Sequence, residues 1–349
     1  MGPVAEPVGG QVLVLGGGAA GLAAAVSLSE RQRPVLLVEG SNRLGGLGAR
    51  LACKATQTCV RCGVCLVDDL LSQTAESRYL ETMLSTSLTG LEKAADGWRA
   101  RLSGPDRRTE ERLVSGLILA VGGRPVDPGL KSQFGYQALE NVISGLELEE
   151  MIRSSQALTR PSDKARPGRV AFVQCVGSRD LSLGPEEGGQ PGCSRICCGY
   201  TARLAGWIRT YQPGTTVTIF YMDLQSWGRD PEGLARLREE AELIRAIPGF
   251  TRRAGNGGLI LQFKPEGVSD LEEREFDLLV LSNGLSGPDP DPLTPVPGLS
   301  TNPDGSLNSR PEERILVCGA AGGPVGIAQA VAQGRLAAIR AAEWVGEER

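Results

Sequence analysis

The most informative absence in the sequence is histidine, since the 349 residues contain none. Imidazole acid–base catalysis is therefore excluded, as are histidine-ligated metal sites and Rieske clusters. No apolar run approaches the roughly 20 residues of a membrane-spanning helix, so direct membrane insertion is not expected. The apolar N-terminal stretch has no basic flank and is interrupted by glycines, which argues against a signal peptide. A formal net charge of −4 gives no electrostatic reason to expect nucleic acid as a partner.

Cysteine is the unusual presence in this chain, and eight of the nine cysteines fall into two groups of four. The first group is Cys53, Cys59, Cys62 and Cys65, the second is Cys175, Cys193, Cys197 and Cys198, and Cys318 stands alone. Disulfide frameworks belong to short secreted chains, whereas this chain is long and is expected in the cytoplasm. Clustered cysteines in such a protein favour metal binding. Cys318 is expected to be a small buried residue.

A dinucleotide-binding motif opens the chain. An apolar strand (11–15) leads into a glycine turn and an alanine-rich helix that extends to about residue 31, and a second strand (34–38) ends in Glu39. The turn supplies Gly16, Gly18, Ala19, Ala20 and Gly21. Such glycines permit a tight turn and close approach of a pyrophosphate, while the acid accepts ribose hydroxyls. The alternative is a glycine-rich turn in some other α/β domain.

Three later segments favour FAD over NAD as the bound nucleotide. The segment SNRLGG (41–46) adds a second glycine pair, LILAVGG (117–123) is an apolar strand that closes on glycines, and RILVCG (314–319) is a last strand. A helix predicted to begin near Pro324 follows, and its N-terminus would face the flavin. The additional candidate FAD residues are Gly45, Gly46, Ala120, Gly122, Gly319, Ala320, Gly326 and Ile327. Flavoproteins of this type commonly have Gly-Asp where this chain has Gly319-Ala320, and the acid contacts the ribityl chain of the flavin. In this chain that contact must be made by another group.

The predicted fold class is α/β, with two dinucleotide-binding-like (Rossmann-type) domains in the architecture of disulfide-oxidoreductase flavoproteins. Residues 9–125 and 280–349 are predicted to form a discontinuous FAD domain, and residues 126–164 a crossover linker with an amphipathic piece near 144–154. Residues 165–279 are predicted to form a degenerate nucleotide-binding domain that carries an iron–sulfur site. Its strands are expected near 169–175, 215–221 and 277–282, and a helix near 196–211.

The second cysteine group follows a predicted strand, at the point where the second domain would carry GxGxxG. The spacing is Cys-x17-Cys-x3-Cys-Cys. Cubane clusters need four thiolates, and Cys197 and Cys198 lie at a predicted helix start, where the helix dipole stabilises anions. Zinc stays open as an alternative, although tetrathiolate zinc sites usually show two C-x2-C knuckles. A redox-active pair of adjacent cysteines also stays open.

The first cysteine group has the spacing Cys-x5-Cys-x2-Cys-x2-Cys, which matches the core of a ferredoxin run without its final Cys-Pro. It predicts a second iron–sulfur cluster near the flavin side of the FAD domain. A zinc knot, or one or two redox thiols, are the alternatives. Lys54, Arg179 and Arg203 are candidates for positive charge near the flavin or a cluster, the alternative being solvated surface charges.

Several longer segments carry a resemblance to a known family. They are NVISGLELEEMI (141–152), RPSD (160–163), FVQCVGSRD (172–180), CSRICC (193–198), VTIFYMD (217–223), GRDPEG (228–233) and CGAAGGPVGIAQAVAQ (318–333). Together they resemble the A-type subunits of heterodisulfide reductase and their relatives. The length is similar to the short form in bacterial sulfur oxidisers, without the N-terminal domain and inserted ferredoxin module of the methanogen type. A short relative also occurs in a quinone-interacting complex of sulfate reducers.

The resemblance implies cofactors and partners. It implies FAD and, at Cys175, Cys193, Cys197 and Cys198, a [4Fe–4S] cluster beside it, with flavin electrons passed singly to the B- and C-type iron–sulfur subunits. In the sulfur-oxidising relatives the reaction is the oxidation of protein-bound sulfane sulfur with a lipoate-binding protein as carrier, and the protein is a homodimer. The alternatives are the A-type subunit of a quinone-interacting complex, a stand-alone NADH-dependent disulfide oxidoreductase, and a non-catalytic FAD-binding scaffold.

Overall fold

The computed structural model describes residues 10–180, 189–225 and 233–345, and these divide into two compact units. Unit 1 comprises Met1–Ala49, Gly63–Arg124 and Gly287–Arg349, and unit 2 comprises Arg50–Cys62 and Pro125–Ser286. Among the segments quoted above, residues 228–232 of GRDPEG lie outside the described residues.

The described ranges contain seventeen strands and six α-helices. The strands are β1 (Gln11–Leu15), β2 (Val35–Val38), β3 (Leu80–Met83), β4 (Ser87–Ala94), β5 (Gly97–Ser103), β6 (Thr109–Leu119), β7 (Arg124–Pro125), β8 (Val142–Ser144), β9 (Arg169–Val176), β10 (Thr216–Tyr221), β11 (Glu242–Arg245), β12 (Phe250–Arg253), β13 (Leu259–Phe263), β14 (Glu272–Phe276), β15 (Leu278–Asn283), β16 (Leu285–Ser286) and β17 (Ile315–Val317). The helices are α1 (Ala19–Glu30), α2 (Val64–Glu76), α3 (Gly145–Ser155), α4 (Cys197–Tyr211), α5 (Gly233–Glu240) and α6 (Ile327–Ala341).

Unit 1 is built on a sheet with the strand order β3-β2-β1-β6-β5-β4, in which β17 also pairs with β6. The strands β1, β2, β3 and β17 join it in parallel. Along β1, Val12 and Val14 pack into the core with α1 and α6, while Leu13 and Leu15 pack on the opposite face. Burial on both faces explains the continuous apolar run of this strand. The carboxyl ends of β1, β2, β6 and β17 therefore meet at one edge of the sheet.

The strand predicted over 117–123 is confirmed only for residues 117–119, which form the end of the much longer β6. Its first half pairs antiparallel with β5, and its second half pairs parallel with β1 and β17. Sequence analysis did not predict the antiparallel strands β4 and β5. Their signal was present, because buried Trp98, Ala100 and Leu102 alternate with exposed arginines.

Unit 2 contains a fully parallel sheet with the strand order β11-β10-β9-β15-β8. Helices α3 and α4 pack on one face around Phe172 and Trp207. The antiparallel sheet β12-β13-β14 covers the other face, where Phe220 makes edge-to-face contacts with Phe263 and Phe276 at centroid distances of 4.7 and 5.9 Å. The predicted strands near 169–175, 215–221 and 277–282 are confirmed as β9, β10 and β15.

Two helix predictions have different outcomes. The amphipathic piece near 144–154 is confirmed as α3, and a capping box fixes its start: Ser144 Oγ accepts the N–H of Glu147, and the Glu147 carboxylate accepts the N–H of Ser144. The start predicted near Pro324 is wrong by three residues, since α6 begins at Ile327. Gly326 is its N-cap, with an extended backbone (φ −75°, ψ 165°) that ends the preceding loop.

Over the described ranges, no helix combines the length and the apolar character that a membrane crossing needs.

Candidate functional site

The glycine turn after β1 depends on two close backbone approaches. Gly16 has a φ of +103°, and a Cβ at this position would lie 2.5 Å from the carbonyl oxygen of Ala120. A Cβ at Gly21 would collide with the carbonyl oxygen of Gly16. Gly18, the N-cap of α1, differs: among described atoms beyond its chain neighbours, none lies within 4 Å of an added Cβ. The turn thus leaves open space at a helix N-terminus, as a bound pyrophosphate requires.

The carboxylate of Glu39 is held beside this turn at the end of β2. Its Oε2 accepts the N–H of Gly17 at 2.7 Å, and its Oε1 accepts the N–H of Ser41 at 2.8 Å. The carboxylate is half-buried and keeps further acceptor capacity. This remaining capacity is compatible with the predicted acceptance of ribose hydroxyls, which stays a prediction.

The second glycine pair packs on the first turn. The N–H of Gly45 donates to the carbonyl oxygen of Gly17 at 2.8 Å. A Cβ at Gly46 would lie 3.0 Å from the Cα of Gly18. A larger residue at this position would therefore press on the turn, which explains a second glycine pair at this distance along the chain.

The segment after β17 also reaches α1. Gly319 has a φ of +69°, and a Cβ at this position would lie 2.7 Å from the Cβ of Ala20. Its N–H donates to Oε1 of Gln333 in α6 at 2.9 Å. Ala320 follows in a short 3-10 helix, and Gly326 caps α6.

All residues predicted to bind FAD belong to unit 1. They lie at or after the carboxyl ends of β1, β2, β6 and β17, or at the starts of α1 and α6. Nucleotides bind at this edge of open parallel sheets. Their assignment to FAD stays a prediction.

The second cysteine group begins at a bulge in β9. Val173 pairs with Leu281 and Val176 pairs with Asn283, so two residues of β9 lie opposite one residue of β15. The second of these two residues is Cys175, whose φ of +60° is rare for a side chain other than glycine. Bulges redirect side chains and are frequent beside functional sites.

Residues 189–193, which end in Cys193, pair with the turn that follows β9, where a nucleotide-binding domain would carry a glycine turn. The N–H of Gln190 donates to the carbonyl oxygen of Gly177 at 2.9 Å, and the N–H of Arg179 donates to that of Gly192 at 3.2 Å. These bonds bring Cys193 alongside the turn after β9. Its side chain is exposed.

The adjacent pair Cys197 and Cys198 forms the first two residues of α4, which confirms the predicted helix start. Both thiols are buried. Cys197 Sγ lies 3.0 Å from Oγ of Ser194, and Cys198 Sγ accepts the N–H of Gln225 at 3.5 Å.

Burial dominates the protonation of these thiols. It raises the pKa of Cys197 to about 12 and, together with the charge of Cys198, raises the pKa of Cys175 to about 11. Burial also raises the pKa of Cys198. Desolvation therefore outweighs the anion stabilisation expected from the start of α4.

The donor set of this group fits a metal centre that needs four thiolates. The charges of Cys193 and Cys198 act on both Cys175 and Cys197, so the four thiols share one electrostatic environment. In the described part of the chain, no three cysteine or carboxylate side chains are arranged to hold a metal ion as they stand. Loading would require deprotonation of the thiols and closure around the metal.

The first cysteine group is divided between the units. Cys53, Cys59 and Cys62 lie in the segment Arg50–Cys62 of unit 2, whereas Cys65 lies in α2 of unit 1. The second-cluster prediction at these residues stays a prediction. Cys318 is 2% exposed, and burial raises its pKa to about 12, as expected for a structural cysteine.

Each of the three predicted cations has a partner in unit 2. Lys54 is buried and bonds both carboxylate oxygens of Glu149, at 2.7 and 2.6 Å. Arg179 pairs with Asp223. Arg203 donates from Nε to the carbonyl oxygen of Val60 at 3.2 Å, next to Cys59. The charge of Lys54 is therefore neutralised inside the fold.

Curated proteins with related sequences decide the family. The chain is 36% identical over 250 residues to the second A-type iron-sulfur subunit of CoB–CoM heterodisulfide reductase from Methanopyrus kandleri, an alignment of 66% of this chain and 37% of that protein. It is 37% identical over 253 residues to the corresponding protein of Methanocaldococcus jannaschii, covering 67% and 38%. The chain is a homologue of the A-type subunits of heterodisulfide reductase. It spans less than two fifths of the length of these relatives.

Fold comparisons agree with this heterodisulfide reductase relationship. Residues 14–58 match a family model described as an NAD(P)-binding Rossmann-like domain. The thioredoxin reductase of T. acidophilum superposes with a TM-score of 0.63 at 16% identity, covering 96% of this chain and 98% of that one. The Lactococcus lactis thioredoxin reductase gives 0.61 at 15% identity with the same coverage. The predicted α/β, Rossmann-type architecture is confirmed.

Sequence reasoning on this heterodisulfide reductase homologue missed two buried polar residues of unit 2. Glu149 is one, because it lies on the buried face of α3 with Leu148 and Ile152. Gln174 is the other, a buried amide near the end of a strand whose other buried residues are apolar. An acid within an apolar helical stripe, or an amide within a buried strand, is the signal that points to such residues.

Proposed function

We propose that this chain is an FAD- and iron–sulfur-containing electron-transfer component of a heterodisulfide-reductase-like complex, and hence part of an oxidoreductase. The observation that carries the proposal is a contrast between the units. Unit 1 keeps a glycine turn and its acid after β1, whereas unit 2 has a bulge at Cys175 and three further thiols after β9. The named function of the relatives supports the same proposal.

In unit 1, the open space at Gly18 would accept the pyrophosphate of FAD, and Glu39 would accept the ribose hydroxyls. The N-terminus of α6, capped by Gly326, would place partial positive charge near the flavin and favour the reduced, anionic ring. FAD supplies the exchange between two-electron and one-electron chemistry. The residues of unit 1 orient it and set its electrostatic surroundings.

In unit 2, Cys175, Cys193, Cys197 and Cys198 are the proposed ligands of a [4Fe–4S] cluster, which would supply one-electron transfer. The buried thiols of α4 would shield two ligand positions from water. Because burial raises the pKa of Cys175, Cys197 and Cys198, these thiols stay protonated without a metal. Binding of iron would therefore release protons.

The proposed process is dissimilatory sulfur oxidation in the cytoplasm, with lipoate-linked sulfane sulfur as the electron source. The B- and C-type iron–sulfur subunits are the proposed partners, and the protein is proposed to be a homodimer. The segments FVQCVGSRD (172–180) and CSRICC (193–198) resemble the A-type subunits of heterodisulfide reductase and their relatives, which include the proteins of bacterial sulfur oxidisers, and this resemblance motivates the assignment.

Anaerobic purification tests the cofactors. We expect one FAD and about four irons with equal acid-labile sulfide per chain, or about eight if Cys53–Cys65 binds a second cluster, and an EPR signal after reduction. Cys197→Ser should lower the iron content, and Cys318→Ser is the matched control that should not. FAD without iron, bleached by NADH, would instead indicate a stand-alone disulfide oxidoreductase, and zinc without sulfide would indicate a structural site.

The sulfur-oxidation assignment has a separate test. The purified protein is combined with the B- and C-type subunits and with lipoate-binding protein that carries sulfane sulfur, and the flavin spectrum is followed. Flavin reduction that requires the loaded carrier supports the assignment. Turnover with a quinone, without the carrier, would place the chain in a quinone-interacting complex.

A further inference from the structure

Gln174 is a polar residue inside the core of unit 2. It is 1% exposed and lies in β9 opposite Ser282 of β15, one residue before Cys175. Side chains alternate along a strand, and Phe172 packs on the face that α4 covers. Ser282 also faces α4, since its Oγ lies 2.9 Å from Oγ1 of Thr201. The amide of Gln174 is therefore directed to the side of the sheet that α4 covers.

Neither amide atom of Gln174 has a hydrogen-bond partner within the described ranges, and the same is true of Oγ of Ser178. Ser178 is 2% exposed. Burying an amide or a hydroxyl without a partner costs free energy, and native proteins leave few such groups. Gln174 and Ser178 both lie within two residues of Val176, the last residue of β9. Two unpartnered groups so close together indicate that a further group binds there.

The hydroxyl of Ser178 lies close to Ser194, a residue that contacts the thiol of Cys197. A Cβ at Gly284 would collide with Oγ of Ser178 and would lie 2.7 Å from Oγ of Ser194. Oγ of Ser194 in turn lies 3.0 Å from Cys197 Sγ. The hydroxyl without a partner is thus one side chain away from a thiol of α4, and Gln174 is the chain neighbour of Cys175.

We propose that the side chains of Gln174 and Ser178 donate hydrogen bonds to sulfur atoms of the group held by Cys175, Cys193, Cys197 and Cys198. This inference rests on the proposed cluster. Both residues are positioning residues that tune the cluster without ligating it. Hydrogen bonds to sulfur stabilise the reduced, more negative state of a cluster and so raise its reduction potential.

The test is an EPR-monitored redox titration of the anaerobically purified protein. Gln174→Met and Ser178→Ala remove the donors with little change in volume. Each variant should retain its iron. Loss of the hydrogen bond should shift the reduction equilibrium about tenfold toward the oxidised cluster, which lowers the one-electron reduction potential by about 59 mV. Thr251→Val is the matched control: Thr251 Oγ1 is also buried and unpartnered in the described ranges, but lies in β12.

Unchanged potentials in both variants overturn the inference, since bound water alone would then satisfy these groups. An equal shift in Thr251→Val also overturns it, because the effect would then be general. If Gln174→Met loses its iron while retaining FAD, Gln174→Asn, which keeps the amide, should regain it, and Ser178→Ala still reports the potential. A wild-type protein without iron overturns the proposed function itself, an outcome distinguishable from the others.

Discussion

Lys54 Nζ lies 2.7 and 2.6 Å from the two carboxylate oxygens of Glu149, and only 2% and 4% of the two side chains are exposed. The N–H of Ala52 donates to the same carboxylate at 3.0 Å, and the carbonyl oxygen of Ala52 accepts from Lys54 at 2.8 Å. The hydroxyl of Tyr211 donates to the carbonyl oxygen of Ala55 at 3.0 Å. These contacts fasten the cysteine-bearing segment Arg50–Cys62 to α3 and α4.

Glu149→Ala should destabilise unit 2 by about 3–5 kcal/mol, because it leaves the ammonium group of Lys54 buried without a counter-charge. Urea unfolding measures the loss, and limited trypsin digestion should show faster cleavage at Arg61. Glu150→Ala is the matched control, since Glu150 pairs with Arg50 at an exposed site and should contribute less than about 1 kcal/mol. Equal losses in the two variants would contradict the role of the buried pair.

Gly18→Ala should weaken FAD binding by more than about tenfold while the protein stays folded. The added methyl group would enter the space proposed for the pyrophosphate, and beyond its chain neighbours it meets no described atom within 4 Å. Gly21→Ala is the structural comparison: its Cβ collides with the carbonyl oxygen of Gly16, so it should cost about 1–3 kcal/mol of stability. Flavin fluorescence on titration and thermal unfolding separate the two effects, and an unchanged FAD affinity in Gly18→Ala would refute the proposed pyrophosphate position.

Glu39→Gln should weaken FAD binding about 10- to 100-fold, because a charged acceptor of the ribose hydroxyls is lost. The amide oxygen can still accept one of the two backbone N–H bonds, so the apoprotein should unfold at nearly the same temperature. Equilibrium dialysis of FAD provides the affinity. Glu30→Gln, at the exposed end of α1, is the control. Equal FAD affinities in both variants would show that Glu39 does not contribute to FAD binding.

Cys318 should make stability depend on pH in the alkaline range. Burial raises its pKa from 9.0 to about 12, so folding keeps the thiol protonated. Its contribution is fully present below the ordinary thiol pKa and is lost as pH rises toward 12, because only the unfolded chain ionises. Relative to Cys318→Ala, wild type should lose about 2 kcal/mol between pH 8 and 10.5. The measurement is urea unfolding under reductant, and a constant difference would show that the thiol ionises equally in both states.

The sequence by itself determined the local parts of both candidate sites. The order strand, glycine turn, helix, strand and Glu39 is readable because neighbouring residues and backbone sterics specify it. The start of α4 at Cys197 was likewise predictable, as was the burial of Cys318. The start of α6 was predicted near Pro324, but the helix begins at Ile327 because the loop continues to its N-cap, Gly326.

Only the tertiary structure decided which charges and thiols meet. Lys54 and Glu149 are 95 positions apart, so their pairing depends on how α3 packs. The bulge at Cys175 follows from its register with β15, a strand about a hundred residues later in the chain. Burial raises the thiol pKa values against the helix dipole, and desolvation is a property of the folded surroundings. The spacing of the cysteines along the sequence identified the two groups, whereas their burial in the fold raised the pKa of Cys175, Cys197 and Cys198.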